Sequence, residues 1–189
     1  VGPIRTHPGQ VHPLEHVRIS REQLLEWVDL ARVCPNGANM QSLRFLISWM
    51  PETNARIFAP LKWAGALKDW PGPAEGERPA AYIVVLNDTS IRRNPGCDQG
   101  IAAQTILLAA TEAGFGGCML GAIDRPALAR ALSIPERYEI ALVVALGKPA
   151  ETVVLEPVGP DGSTTYYRDA RSVHHVPKRA LEDVLVSFG

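Results

Sequence analysis

The run DQGIAAQTILLAATEA, residues 98–113, limits the fold more than any other stretch of the chain. It consists mostly of good helix formers, opens on an aspartate suited to an N-cap and stops at Gly114. Its apolar residues run round nearly the whole circumference, so the helix belongs in an interior and other elements have to cover it. Three β-prone runs are available for that: RFLISW (44–49), AYIVVL (81–86) and IALVVAL (140–146). The last is apolar throughout, as expected of a strand buried on both faces.

Around this centre the signals are local. Ser20 followed by Gln23 forms a capping-box pattern, and Leu24, Leu25, Val28 and Ala31 recur at helical spacing, which predicts a helix over 21–33 ended by Pro35. Asp124 can cap a short helix RPALARAL with Pro126 in its first turn, and RALEDVLV near the end predicts another. EPVGPDGSTTYYRDA reads as a loop or extended arm, and PGPAEGERP (71–79) as an excursion within a domain. The expected order is helix, strand, helical excursion, strand, buried helix, strand, helix, strand and C-terminal arm. That is α/β or α+β with a mixed central sheet.

Composition excludes several function classes. With 19 Lys plus Arg against 20 Asp plus Glu there is no basic stripe for nucleic acid. The longest apolar stretch, IALVVALG (140–147), falls far short of the roughly 20 residues that span a bilayer, so a soluble protein with no membrane partner is expected. Cys34, Cys97 and Cys118 are odd in number and widely spaced, which speaks against a disulfide framework or a C-x-x-C metal site and for a reducing, cytoplasmic setting. The opening VGPIRTHPG has no charged-then-apolar signal pattern. A chain of 189 residues fits one domain that buries about 70% of its unfolded surface.

The chemistry-bearing stretches are few. Neither a G-x-S-x-G nucleophile motif nor a phosphate loop occurs, so no catalytic side chain is assigned. CPNGANMQSLRF (34–45) concentrates turn residues and amides between a helix and a strand. GFGGCMLG (114–121) admits two readings, a tight helix-to-strand turn or close backbone approach of a flat ligand at Gly116 and Gly117. In VHHVPKR (173–179) the adjacent imidazoles of an extended arm point to opposite sides and make no chelating pair, so no metal site is assigned. Lys178 and Arg179 can hold a phosphate, or stand as a solvated pair. A thiol and imidazole enzyme using Cys118 with His174 or His175 is a separate alternative.

Taken together, ARVCPNGANMQSLRF, CDQGIAAQTILLAATEAGFGGCMLG, ALVVALGKP and VPKRALEDV follow one another in the order and spacing of the flavin-dependent nitroreductase family, and the chain resembles that family over about residues 20–186. The resemblance implies an α+β nitroreductase-like fold, a mixed central sheet flanked by helices. It divides the chain into an atypical N-terminal arm (1–19) and a single FMN-binding domain (20–189). It further implies an NAD(P)H oxidoreductase acting by a ping-pong flavin cycle on small electron-poor acceptors such as nitroaromatics or quinones. FMN would lie in clefts of an intertwined homodimer, with NADH or NADPH as reductant.

By the same likeness, Asn36, Asn39 and Gln41 serve the flavin from the loop after the first helix. Gly116 and Gly117 lie along the ring, and Lys178 and Arg179 meet the phosphate. The chain departs from the family pattern in three places. Asn36 replaces the usual Ser, and Ser42 the usual Pro. In the N-terminal R-S-x-R-x-F block only Arg5 and Thr6 match, with Pro8 at the second arginine and no Phe after it. That loss motivates an alternative, a non-enzymatic member of the fold that sequesters FMN or has shed it.

Overall fold

The computed structural model describes residues 11–12, 18–67, 70–149 and 151–186. Two compact units result, one from residues 1–63 and 72–150 and one from residues 64–71 and 151–189.

The larger unit is organised on β3 (Ala81–Asp88), all eight residues of which are buried. It pairs antiparallel with β2 (Leu43–Ser48) on one side and β5 (Tyr138–Pro149) on the other. β4 (Gly116–Leu120) and the two-residue β1 (Val11–His12) pair antiparallel with the C-terminal part of β5. Period-two alternation then divides the side chains between two cores. Ala81, Ile83 and Val85 face one core with α1 (Arg21–Arg32) and α3 (Asp98–Glu112). Tyr82, Val84 and Leu86 face the other with α2 (Pro51–Phe58) and α4 (Arg125–Leu132). The register shifts between Val85, opposite Leu142, and Leu86, opposite Ile140. The extra residue, Ala141, reverses the parity of β5, so Ile140 joins the Tyr82 core although Leu142 and Val144 lie in the other.

The order of elements follows the sequence reading. The capping box of Ser20 and Gln23 is formed in both directions, at 3.0 and 3.2 Å, and Asp124 Oδ1 accepts from the Ala127 amide at 3.0 Å. The buried helix needs one correction. Cys97, not Asp98, occupies the N-cap position, with no side-chain cap. The Asp98 carboxylate turns away because it is engaged by the loop after α1.

The smaller unit holds a three-stranded sheet. β6 (Val153–Pro157) runs parallel to β8 (His174–Lys178), and β7 (Tyr167–Arg168) is antiparallel to β8. Antiparallel and parallel pairs therefore both occur in this α+β chain. The segment read as a loop or extended arm contributes β7 and the end of β6, and the final helix, α5, is a single turn (Leu181–Val184). His174 and His175 do face opposite ways. His174 Nδ1 meets Glu151 Oε2 at 3.1 Å and His175 Nδ1 meets Glu156 Oε2 at 2.9 Å. Arg168 also binds Glu151, with Nε 2.7 Å from Oε1, and the Tyr167 ring stacks on His175. Among the described residues no helix is long and apolar enough to cross a membrane.

Candidate functional site

After α1 the chain turns through a 3-10 turn at Gly37–Asn39 before entering β2. Ala38, Asn39 and Gln41 all adopt positive φ, at 51°, 54° and 50°. Three non-glycine residues in the left-handed region within four positions hold strain of about 1–3 kcal/mol each, which persists only where surroundings enforce it.

Hydrogen bonds supply that enforcement. The Gln41 amide donates to Asn36 Oδ1 at 3.0 Å, and the Gly37 amide donates to Asp98 Oδ1 at 2.9 Å. Arg92 Nη1 closes on Asp98 Oδ2 at 3.3 Å, the Asp98 side chain being only 3% exposed. A Cβ at residue 37 would overlap that guanidinium and displace it from its present position. From the other side Arg44 Nη1 donates to the carbonyls of Gln41 at 2.9 Å and Leu43 at 2.8 Å. The site is therefore a strained loop clamped by Asp98, Arg92, Asn36 and Arg44.

Beneath the loop lies a cavity of about 350 Å³ lined by Asn36, Gln41, Ser42 and Arg44 together with Phe45 and Ile101. Ser42 is buried, and its Oγ has no hydrogen-bond partner among the described residues. A buried hydroxyl without a partner is costly and marks a place where a ligand group would be welcome. Asn39 and Gln41 have exposed side chains, and the Gln41 amide nitrogen makes only a long 3.4 Å bond to the Asn39 carbonyl. Both keep donors and acceptors for another molecule.

Behind the loop, Asp88 is anchored by Ser90, whose hydroxyl donates to Oδ1 at 2.6 Å and whose amide does so at 3.1 Å. The Ser90 hydroxyl foremost, with the Ser90 amide and the Arg137 and Arg44 charges, holds the Asp88 carboxyl below its usual range against the opposing effect of desolvation.

Gly116 and Gly117 sit elsewhere. Both lie in β4, where Gly116 is opposite Gly147 and Gly117 opposite Leu146. A Cβ on Gly117 would overlap the Ala145 carbonyl and stand 2.8 Å from Leu107 Cδ2, and one on Gly116 would stand 2.8 Å from Pro149 Cγ. Close strand and helix packing accounts for both glycines, and Gly114, at φ 77°, supplies the turn after α3. Loop 36–41 enters β2 at Leu43, opposite Asn87, and Leu86 is opposite Ile140, whereas Gly117 neighbours Leu146. At about 3.3 Å per residue the two features are about 20 Å apart along β5. One copy of the chain does not bring them together.

The other sequence candidates divide as follows. Lys178 ends β8 in the smaller unit and Arg179 follows it, both exposed and neither ion-paired among the described residues. Arg5 and Thr6 lie outside the described residues. Cys118 is not a nucleophile in waiting, because burial pushes its thiol up to about 12 and keeps it protonated. Sequence reading missed Ser42 as an unpartnered hydroxyl and Asp98, Arg92 and Arg44 as the clamp. Arg44 was visible only as part of the LRF end of the loop block, and nothing local pairs Asp98 with Gly37, 61 positions away.

A helix-flanked antiparallel sheet with a cavity under an amide-bearing loop defines an α+β protein. Residues 13–148 match the family model described as the nitroreductase family, and the chain belongs to that family. Solved structures agree on the fold. A nitroreductase in complex with FMN from Exiguobacterium sibiricum 255-15 superposes with a TM-score of 0.63 at 17% identity, covering 77% of this chain and 85% of that one. An NADH dehydrogenase/NAD(P)H nitroreductase from Parabacteroides distasonis ATCC 8503 gives 0.64 at 18% identity, with coverages of 79% and 85%. CLA-ER, an enone reductase of gut-bacterial fatty acid saturation, gives 0.64 at 16% identity, with coverages of 77% and 85%.

Proposed function

We propose that this chain is an FMN-dependent NAD(P)H oxidoreductase that reduces small electron-poor acceptors, nitroaromatics, quinones or activated enones, by a ping-pong cycle. The observation that carries the reading is the unpartnered Ser42 hydroxyl in the cavity beneath the strained amide loop. Hydroxyl and amide groups, able to donate and accept, fit the alternating polar edge of a flavin ring. The names of solved relatives with FMN and with NAD(P)H support the choice of cofactor and reductant.

In this reading Asn39, Gln41 and Ser42 hold the ring edge, and Asn36 keeps the loop in its binding shape through the Gln41 amide. Gly116 and Gly117 would meet the ring through their backbone N–H groups, the space of their missing side chains being taken by Pro149, Ala145 and Leu107. Lys178 and Arg179, with Arg5 and Thr6, provide charge and hydrogen bonds for the phosphate. When bound, FMN would supply the redox chemistry, taking a hydride from NADH or NADPH and returning electrons to the acceptor. The protein's part is to orient the partners and exclude water, which agrees with a site lacking a nucleophile.

A homodimer belongs to the proposal. The separation between loop 36–41 and the Gly116–Gly117 strand requires a second copy to supply one of the two to each flavin. The three free cysteines suit a reducing cytoplasm. The altered N-terminal block favours a second reading, a flavin-binding or flavin-free protein without turnover. A visible spectrum of the protein with added FMN, followed by anaerobic NADH and NADPH, separates them. Bound flavin that bleaches and recolours with menadione supports the enzyme. Bound flavin that reduced nicotinamide leaves yellow supports sequestration, and no retained flavin overturns the cofactor assignment.

A further inference from the structure

A larger cavity, about 990 Å³, opens at the other end of β2, between the start of α1, the start of α2 and the segment leading into β3. Its walls include Trp49, Phe58 and Pro79, and among its charged lining residues Arg18, Arg21 and Arg78 outnumber Glu22 and Glu75. The polar groups already in use are easily identified. Ser20 caps α1, and Asn54 donates to the Ala80 carbonyl at 2.8 Å while accepting from Ser48 at 2.6 Å. Among the remaining polar groups, two act on each other. Arg78 lies over the Phe58 ring at 4.3 Å and has no carboxylate within ion-pair distance among the described residues. Tyr82 lines the same cavity, fully buried, with its hydroxyl unpartnered among the described residues. Desolvation raises the Tyr82 pKa far above its ordinary value, so this hydroxyl stays protonated and acts as a donor, while the Arg78 charge acts on it in the opposite sense.

We infer that this cavity binds a small aromatic carboxylate, its ring against Phe58 and Trp49 and its anion between the Arg78 guanidinium and the Tyr82 O–H. A cation held flat by an aromatic ring is preorganised for a carboxylate. A protonated phenol in an apolar wall can donate its O–H to a carboxylate oxygen. Neither the flavin site proposed above nor its acceptors are needed for this inference.

The test uses 2-naphthoate as probe on the full chain by isothermal titration calorimetry, first as purified and then saturated with FMN. Binding at submillimolar concentration is expected, with 2-naphthamide about tenfold weaker because it lacks the charge. Arg78→Gln should weaken naphthoate about tenfold, and Tyr82→Phe about three- to tenfold. Tyr82→Phe removes a buried hydroxyl that has no partner, so its melting temperature should hold or rise, and a folded variant is available for the measurement. Equal affinity for the amide, unchanged affinity in either variant, or displacement of naphthoate by FMN would each overturn the inference.

Discussion

Two stretches of this chain look alike in sequence, PNGANMQ and GFGGC, each a cluster of permissive residues beside a helix. In the structure they are opposites. The first holds three non-glycine residues at positive φ and is kept there by hydrogen bonds to the Asp98 and Asn36 side chains and from Arg44. The second passes from the Gly114 turn into regular strand, and the glycines at 116 and 117 are demanded by the Ala145 carbonyl, Leu107 and Pro149. Strain held by a polar clamp beside an unpartnered hydroxyl points outward, to a ligand. Absence of a side chain where strands and a helix crowd together points inward, to packing. The same residue types thus carry different information according to what opposes them.

The sharpest way to break this contrast is Gly117→Val. Overpacking against a strand carbonyl and Leu107 should cost about 3 kcal/mol and lower the melting temperature by roughly 6–12 °C. A wild-type melting curve would refute the packing account of β4. Next in size is Asp98→Ala, which strips the Gly37 amide and Arg92 of their shared acceptor. We expect a loss of about 2–3 kcal/mol, together with a fall in flavin retained on gel filtration. Retention at the wild-type ratio would separate the loop from flavin binding.

Gln41→Gly sharpens the same comparison from the side of strain. Glycine adopts φ 50° freely, so stability should stay within about 1 kcal/mol of wild type. Losing the Gln41 amide should nevertheless weaken FMN about tenfold in a fluorescence titration. An unchanged dissociation constant would remove Gln41 from the site.

The smallest effect concerns acid. The folded Asp88 pKa is depressed, chiefly by the Ser90 hydroxyl, below the unfolded value of about 3.9. Its contribution is complete above that unfolded value and is lost as pH falls through the depressed folded value. Ser90→Ala should therefore flatten the acid limb of a stability curve below about pH 4 and change nothing at pH 7 beyond the lost hydrogen bond. An identical acid limb would show that Ser90 does not govern Asp88.

By itself the sequence determined the elements and their order. Capping at Ser20 and Asp124, the stop at Gly114 and the apolar runs of β3 and β5 are local or periodic signals, decided within a few residues, and they recur in the structure. The family was also legible, because its motifs keep their order along the chain. What only the tertiary structure decided depends on partners far apart in sequence. Asp98 reads as a cap until Gly37 and Arg92 claim it, and the need for glycine at 117 is explained only when Ala145 and Leu107 occupy the space a side chain would fill. Ser42 was an ordinary polar residue until the fold buried its hydroxyl without a partner. The sheet also set the loop and the glycine strand at opposite ends of β5. Local sequence carries backbone preference, but burial, clashes and unmet hydrogen bonds exist only once distant segments are in contact.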